Sequence, residues 1–196
     1  MTYKSSPKYV FIFMGICVVG FLLQQITNQW GYLAFFPAFA REAPWMFVTS
    51  IFLHADLSHL FFNMFALFFF GIYLERMVGK KTFVMIFFLS GVFGNLGYMV
   101  TASDPFTPAI GASGSVYGLI GALAVLAPFM MIFVYGFLPM PMILAAILYG
   151  FMDFAGLFGS SGIAHGAHLG GMFVGVASGF YLRMRANRWR SKHDYT

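Results

Sequence analysis

The sequence predicts an all-α polytopic membrane protein with six transmembrane helices and both termini in the cytoplasm. Of its 196 residues, 60% are apolar and 9% are charged, whereas about 25% of the residues of an ordinary soluble domain are charged. The apolar residues suffice for about six spans of roughly 20 residues each. Eleven Lys and Arg with six Asp and Glu cannot cover the surface of a soluble fold of this size. The composition therefore excludes soluble and nucleic-acid-binding domains, and a single cysteine, Cys17, excludes a disulfide framework.

The six spans follow from charge-poor runs and from the residues that interrupt them. Residues 106–152 carry no charge, which is too long for one span, and Pro128, Pro139 and Pro141 divide that run into two helices. The apolar connector between them, residues 129–138, has no conformation that the sequence assigns. We expect the first span to be a retained anchor and not a cleaved signal peptide. The predicted spans are residues 9–26, 57–74, 82–101, 113–127, 141–158 and 164–182.

Basic residues predict the orientation, because Lys and Arg concentrate on the cytoplasmic side of a membrane. With six spans, ten of the eleven basic residues fall on one side, and Arg41 alone falls on the other. The N-terminal segment, residues 1–8, and the basic tail, residues 183–196, are therefore predicted to be cytoplasmic. Between them, residues 9–182 form the predicted six-helix membrane domain. In this interpretation the basic tail determines topology and is not a specific lipid site.

Polar residues concentrate where spans two, four and six begin, which places them at one depth near the non-cytoplasmic face. His59 and Asn63 share one helical face of span two. Ser113 begins span four, and His168 lies near the start of span six. Hydrogen-bonding groups within lipid need a partner or a function. A serine, a histidine and two further donors are the groups that a nucleophile, a general base and an oxyanion hole require. Ser113 taken alone is also a common helix cap.

Small residues four apart predict close contact between spans four and six. Such stripes let two helix backbones approach closely, and a hydrogen bond of about 2.6 to 3.2 Å between Ser113 and His168 requires that approach. Taken alone, the stripes also serve helix packing without any site. They comprise Gly114, Gly118 and Ala122 on span four, and Ala167, Gly171, Gly175 and Gly179 on span six.

These motifs resemble those of the rhomboid intramembrane serine proteases. The matching segments are Gly-Ala-Ser-Gly at 111–114 with Tyr117, the segment 59–63, Ala167-His168 with the glycines that follow, and the turn 75–79. The resemblance covers nearly the whole chain from the loop after span one. It implies a rhomboid-like bundle of the minimal six-helix bacterial type, without an added soluble domain or a seventh helix.

The resemblance also implies roles for individual residues. Ser113 is the expected nucleophile and His168 the general base and acid, in a dyad without an acidic third member. His59 and Asn63, with the Ser113 amide, are the expected oxyanion hole, and Tyr117 is expected to stack on His168. The supporting glycines are Gly111, Gly114, Gly171 and Gly175.

The acidic residues and two departures from the family pattern complete the expectations. Asp56 and Asp153 have no evident place beside His168. The family usually carries Trp-Arg in the loop after span one, where this chain has Trp45-Met46. We expect His165, an additional histidine, to face solvent at the cavity mouth, and we hypothesise that its protonation tunes His168 near neutral pH.

The expected function is that of an intramembrane serine endopeptidase, which cleaves transmembrane segments of membrane proteins through an acyl-enzyme. The expected partners are transmembrane protein substrates and membrane lipid, with no nucleic acid, no metal and no soluble cofactor. The expected location is the bacterial inner membrane, with the active site open to the non-cytoplasmic side.

Other functions stay open at this point. A catalytically silent rhomboid-like protein that binds membrane helices is the first alternative, and a small transporter is a weaker one because no inverted repeat is evident. A metal site is disfavoured because the chain has no His-Glu-x-x-His motif. Its ligands would come from His54, His59, His165 and His168.

Overall fold

Helices dominate the part of the chain that the computed structural model describes, which is residues 6–27, 30–134, 137–159 and 161–193. A π-helical turn, Leu67–Gly71, joins the third and fourth helices into one continuous helix, Leu57–Val78. Short 3-10 turns at Trp30–Tyr32, Pro37–Phe39 and Ser50–Phe52 shape the loop after the first helix. The helices are α1 (Tyr9–Ile26), α2 (Met46–Thr49), α3 (Leu57–Ala66), α4 (Ile72–Val78), α5 (Lys80–Thr101), α6 (Ser113–Leu126), α7 (Met142–Gly156) and α8 (His165–His193).

The helices coincide in position with the predicted spans, and their lengths differ. Three of them in the described chain, Tyr9–Ile26, Leu57–Val78 and Lys80–Thr101, are long and apolar enough to cross a membrane. Helices α6 and α7 are apolar but shorter, so the number of six spans stays a prediction. Helix α8 continues to His193, and the predicted basic tail is therefore helical at its start. Arg, Lys and Ala are good helix formers, which explains this continuation.

The connector that the sequence left open contains two paired strands, β1 (Met131–Val134) and β2 (Leu138–Pro141). They pair antiparallel, with Met131 opposite Pro141. Both strands of a two-stranded sheet are edge strands. Proline is tolerated in an edge strand because the N–H that it lacks can be one that faces no partner strand. Pro141 then precedes α7, which begins at Met142.

Helix α6 lies in the core between α5 and α8, and its backbone contacts α8 through glycine. A Cβ atom added at Gly171 would overlap the carbonyl oxygen of Gly114, and one added at Gly175 would overlap that of Gly118. Any side chain at these positions would therefore separate the two helices. The structure thus places the predicted stripes of small residues in direct contact, and this holds the first turns of α6 and α8 together.

A buried carboxylate fixes the end of α4 to the start of α1. Glu75, which is fully buried, accepts hydrogen bonds from the backbone N–H groups of Lys8 at 3.0 Å, Tyr9 at 3.1 Å and Val10 at 3.1 Å. These N–H groups have no partner within the helix, and a negative charge is favourable at a helix N-terminus. The turn 75–79 that matches the family pattern is therefore part of the scaffold.

Candidate active site

Ser113 and His168 form a hydrogen-bonded pair between two helix N-termini. Ser113 is the first residue of α6, so its own N–H has no partner within the helix. His168 lies in the first turn of α8, and its Nε2 atom is 2.9 Å from Ser113 Oγ. This separation is within the reach that a nucleophile and its general base need. The two predicted residues thus come together in the structure.

Tyr117 holds the imidazole of His168 from the side. Its ring is nearly parallel to that of His168, with an interplanar angle of 10° and a centroid separation of 4.2 Å. Tyr117 lies one helical turn after Ser113 on α6, so the same helix supplies the serine and the surface against which its base stacks. The stacking leaves His168 little freedom to rotate.

Asp153 lies beside His168, which corrects the expectation that no acidic residue has a place there. The carboxylate of Asp153, on α7, is 4% exposed, and its Oδ1 atom is 2.8 Å from His168 Nδ1. A carboxylate can only accept in this pair, so Nδ1 carries the proton and Nε2 is free to accept from the Ser113 hydroxyl. No sequence pattern indicates this contact, because it depends on how α7 is rotated against α8.

His165 contacts the same carboxylate and does not face solvent as expected. Its Nδ1 atom is 2.6 Å from Asp153 Oδ1, and its side chain is 13% exposed. On the other side of the ring, Nε2 is 2.6 Å from Ser161 Oγ. Asp153 therefore bridges two histidines, and each histidine also pairs with a serine.

The three residues of this bridge carry hydrogen bonds, although they could in principle present ligands to a metal. The ligand atoms of Asp153, His165 and His168 lie within 4.8 Å of one another. The two N···O separations, 2.6 and 2.8 Å, are hydrogen-bond lengths. Among the described residues, His54 and His59 do not join His165 and His168 in this group, contrary to the four-histidine set considered from the sequence.

The ring of His59 rests against the backbone of Gly111, two residues before Ser113. Gly111 has φ +122°, a conformation that L side chains rarely adopt, and an added Cβ would lie 2.8 Å from His59 Nε2. The N–H of Ala55 donates to His59 Nδ1 at 3.3 Å. Nδ1 is therefore the acceptor in this ring, and Nε2, next to Gly111, carries the proton.

Asn63 follows His59 by one turn and uses part of its amide within the helix. Its Nδ2 donates to the carbonyl of His59 at 2.9 Å, and its buried Oδ1 has no hydrogen-bond partner among the described residues. Asp56 caps this helix, since its Oδ1 accepts from the His59 N–H at 2.8 Å. Asp56 therefore has a structural role, which agrees with the expectation that it does not serve His168.

His54 is fully buried next to these residues. Both ring nitrogens lack a hydrogen-bond partner within the described chain, and the ring centroid is 5.1 Å from that of His59. Burial, and to a lesser degree His59, lowers the pKa of His54 to about 3. Its backbone N–H donates to Gln24 Oε1 at 3.0 Å, which ties this loop to α1.

In the loop that departs from the family pattern, Trp45 makes a hydrogen bond and Met46 is buried. Trp45 Nε1 donates to the carbonyl of Tyr32 at 2.9 Å, and Met46 is 5% exposed. Met46 therefore occupies the interior of the loop at the position where the family usually carries arginine.

A small cavity adjoins Ser113. Its volume is about 20 Å³, and its lining includes Asn95, Gly111, Ser113 and Ala164. A cavity needs roughly 10–15 Å³ to hold a water molecule, so this space is large enough for one. It places a water-sized volume next to the serine.

The fold and the site define a class: helical membrane proteins in which a serine and a histidine pair at the starts of two closely packed helices. The family model described as "Rhomboid domain" matches residues 41–185. The chain therefore belongs to the rhomboid family, and it is an integral membrane protein.

Individual relatives agree with this assignment. The chain is 30% identical over 203 residues to "Rhomboid protein 1, mitochondrial" of Saccharomyces cerevisiae, covering 97% of this chain and 58% of that protein. It is 32% identical over 132 residues to "Rhomboid protease GluP" of Bacillus subtilis, covering 63% and 25%. It is also 39% identical over 79 residues to "Inactive RHOMBOID-like protein 8" of Arabidopsis thaliana, covering 40% and 22%. The chain thus spans from about a fifth to somewhat over half of these relatives' lengths.

Proposed function

We propose that this protein is an intramembrane serine endopeptidase that cleaves transmembrane segments of membrane proteins. The observation that carries the proposal is the 2.9 Å contact between Ser113 Oγ and His168 Nε2. Membership of a family that contains a named protease, "Rhomboid protease GluP", supports the same activity.

The proposed reaction begins with attack of Ser113 Oγ on the scissile carbonyl carbon. His168 Nε2 accepts the hydroxyl proton as the Oγ–C bond forms, and later donates it to the leaving amine as the C–N bond breaks. This releases one product and leaves an acyl-enzyme on Ser113. Water then gives a proton to His168 Nε2 as its oxygen bonds to the ester carbonyl carbon. The Oγ–C bond breaks, His168 returns the proton to Ser113 Oγ, and the second product leaves as a carboxylic acid.

Charge develops on the carbonyl oxygen in both steps, and donors on the other side of Ser113 would stabilise it. We assign this role to the Ser113 N–H, to His59 Nε2–H and to Asn63. The tautomer of His59, in which Nδ1 accepts from Ala55, supports a proton on Nε2. Preorganised donors of this kind are worth about 2.7–4 kcal/mol each in serine proteases.

The proposed substrates are transmembrane helices that unwind locally. An intact helix uses its carbonyl groups in internal hydrogen bonds, so the scissile carbonyl is unavailable until the helix opens. Residues that weaken helices are therefore expected near the cleavage position.

The finer topology is part of the proposal. We infer six spans with both termini in the cytoplasm of a bacterium, an inner-membrane location, and a site open to the non-cytoplasmic side. The distribution of basic residues supports this orientation, since ten of eleven fall on one predicted side.

Cleavage of a transmembrane substrate in liposomes tests the activity. Purified protein is incubated with a substrate whose transmembrane helix contains a Gly-rich break, and products are identified by mass spectrometry. We expect wild type to cut within the helix and Ser113→Ala to give no products. Ser115→Ala is the matched control, because Ser115 is a buried serine on the same helix and should keep the activity. Undiminished cleavage by Ser113→Ala would contradict the proposal.

A second function deserves the same test, since one relative is named as inactive. A rhomboid-like protein that binds membrane helices without cutting them would retain the substrate in co-purification and give no products with wild type. That result would replace the protease proposal with helix binding.

A further inference from the structure

The carboxylate of Asp153 is positioned to control the imidazole of His168. Its Oδ1 atom lies 2.8 Å from His168 Nδ1, and Asp153 is buried at 4% exposure. The carboxylate belongs to α7, whereas His168 belongs to α8 and Ser113 to α6. Three helices thus contribute one group each to a continuous hydrogen-bonded series.

We propose that Asp153 is a positioning residue that holds His168 in the tautomer required for catalysis, so that the site works as a Ser113–His168–Asp153 arrangement. This rests on the proposed function, and it differs from the dyad that the family resemblance implies. The role is one of positioning, because Asp153 acts through His168 and touches no reacting atom.

The physical reason is the choice between two neutral forms of imidazole. Only the form with a proton on Nδ1 leaves Nε2 free to accept from Ser113. A carboxylate at Nδ1 selects that form and, by its negative charge, stabilises the imidazolium that exists after Ser113 has lost its proton. The stacked ring of Tyr117 fixes the plane of the imidazole, but stacking cannot distinguish one nitrogen from the other.

Asp153 is itself held in place from several sides. His165 Nδ1 lies 2.6 Å from the same Oδ1 atom, and Ser161 fixes His165 through its other nitrogen at 2.6 Å. The side chain of Tyr117 also faces the carboxylate. The partners therefore prevent Asp153 from turning away from His168, and the arrangement is complete before a substrate arrives.

Asp153→Asn tests the role, because asparagine has nearly the same shape and lacks the charge. We expect kcat to fall about 10- to 1,000-fold with KM nearly unchanged, since the lost interaction acts in the transition state. The matched control is Glu75→Gln, the same carboxylate-to-amide exchange at a fully buried residue of α4 outside this series, measured alongside for its effect on folding. Thermal unfolding in detergent verifies that each variant is folded.

Nitrogen-15 NMR of labelled histidine provides a readout that a merely structural role would not change. We expect His168 in wild type to carry its proton on Nδ1, and the Asn variant to shift toward the Nε2 form. A wild-type ring protonated on Nε2 would overturn the assignment without any variant. An Asn variant with the wild-type tautomer, or with kcat within about twofold of wild type, would overturn it as well.

The outcomes separate this inference from the proposed function. If wild type shows no cleavage and Ser113 does not react with a fluorophosphonate, the protease proposal fails while the tautomer measurement still tests Asp153. If Ser113 reacts equally fast in wild type and in Asp153→Asn, the protease proposal stands and the role of Asp153 is refuted.

Discussion

The two sides of Ser113 differ in how completely their polar groups are paired. On the base side, His168, Asp153 and His165 form a hydrogen-bonded series that also engages both serines at its ends. On the side of His59, which we propose as the oxyanion side, Asn63 Oδ1 and both ring nitrogens of His54 have no hydrogen-bond partner among the described residues. Hydrogen bonds within the protein therefore hold the residues on the base side in place, whereas several polar atoms on the other side have no such bond.

This difference matches what each side does in the proposed reaction. A general base must have the correct tautomer and distance before the substrate binds, so its partners can be permanent. Oxyanion donors face a charge that exists only in the transition state, and interactions made only there accelerate the reaction. Of the Asn63 amide, only the Nδ2–H group can meet that charge, because the unpaired Oδ1 atom is an acceptor.

The largest expected effect tests whether His59 takes part in the reaction or only supports the fold. His59→Phe keeps a ring against Gly111 and removes the Nε2–H donor. We expect kcat to fall roughly 100- to 1,000-fold while KM stays nearly constant. Asp56→Asn is the control, because asparagine preserves the helix cap, and its kcat should stay close to wild type. A rise in KM without a fall in kcat would assign His59 to substrate binding instead.

A smaller effect concerns the buried His54. Its pKa of about 3 in the fold lies below the value of about 6.5 in an unfolded chain, so below pH 6.5 the unfolded state binds a proton that the folded state does not. Stability should therefore fall as the pH drops from 6.5 toward 3, by about 1.4 kcal/mol per pH unit, or ~2 kcal/mol at pH 5. His54→Gln should reduce this loss, measured as the change in Tm between pH 7.5 and pH 5. Equal acid sensitivity of wild type and variant would contradict the prediction.

The smallest expected effect tests whether His165, the second histidine beside Asp153, influences the pH–rate profile of cleavage. His165→Gln removes a group that shares Asp153 Oδ1 with His168. The carboxylate then pairs with His168 alone, so the pH–rate profile of cleavage should differ from that of wild type. The substitution leaves Tyr117, which also faces this carboxylate, unchanged. It also leaves Ser161 in place, which contacts His165 in wild type. An unmoved profile would show that His165 does not tune His168.

The sequence predicted the elements that local chemistry determines. Charge-poor runs and prolines located the starts of the long helices to within a few residues, as for α1 over Tyr9–Ile26. The glycines of α6 and α8 predicted a close approach, which in turn brings Ser113 to His168. The stacking of Tyr117, implied by the family resemblance, is also present in the structure.

The sequence could not predict contacts that depend on tertiary geometry. Asp153 lies on a helix that is apolar on nearly all sides, so no periodic pattern indicates which face meets α8. The contact of His165 with Asp153 depends on the same rotation. The strand pairing of residues 131–141 depends on backbone hydrogen bonds between two short apolar segments, for which hydrophobic pattern gives no clear signal.

Covalent labelling tests the central claim, that Ser113 is a nucleophile activated by His168, most directly. The protein in detergent is treated with a fluorophosphonate, and the modified residue is located by peptide mass spectrometry. We predict one adduct on Ser113 in wild type and in Ser115→Ala, and none in Ser113→Ala or His168→Ala. Equal labelling of Ser113→Ala, or an adduct on any other serine, would contradict the claim.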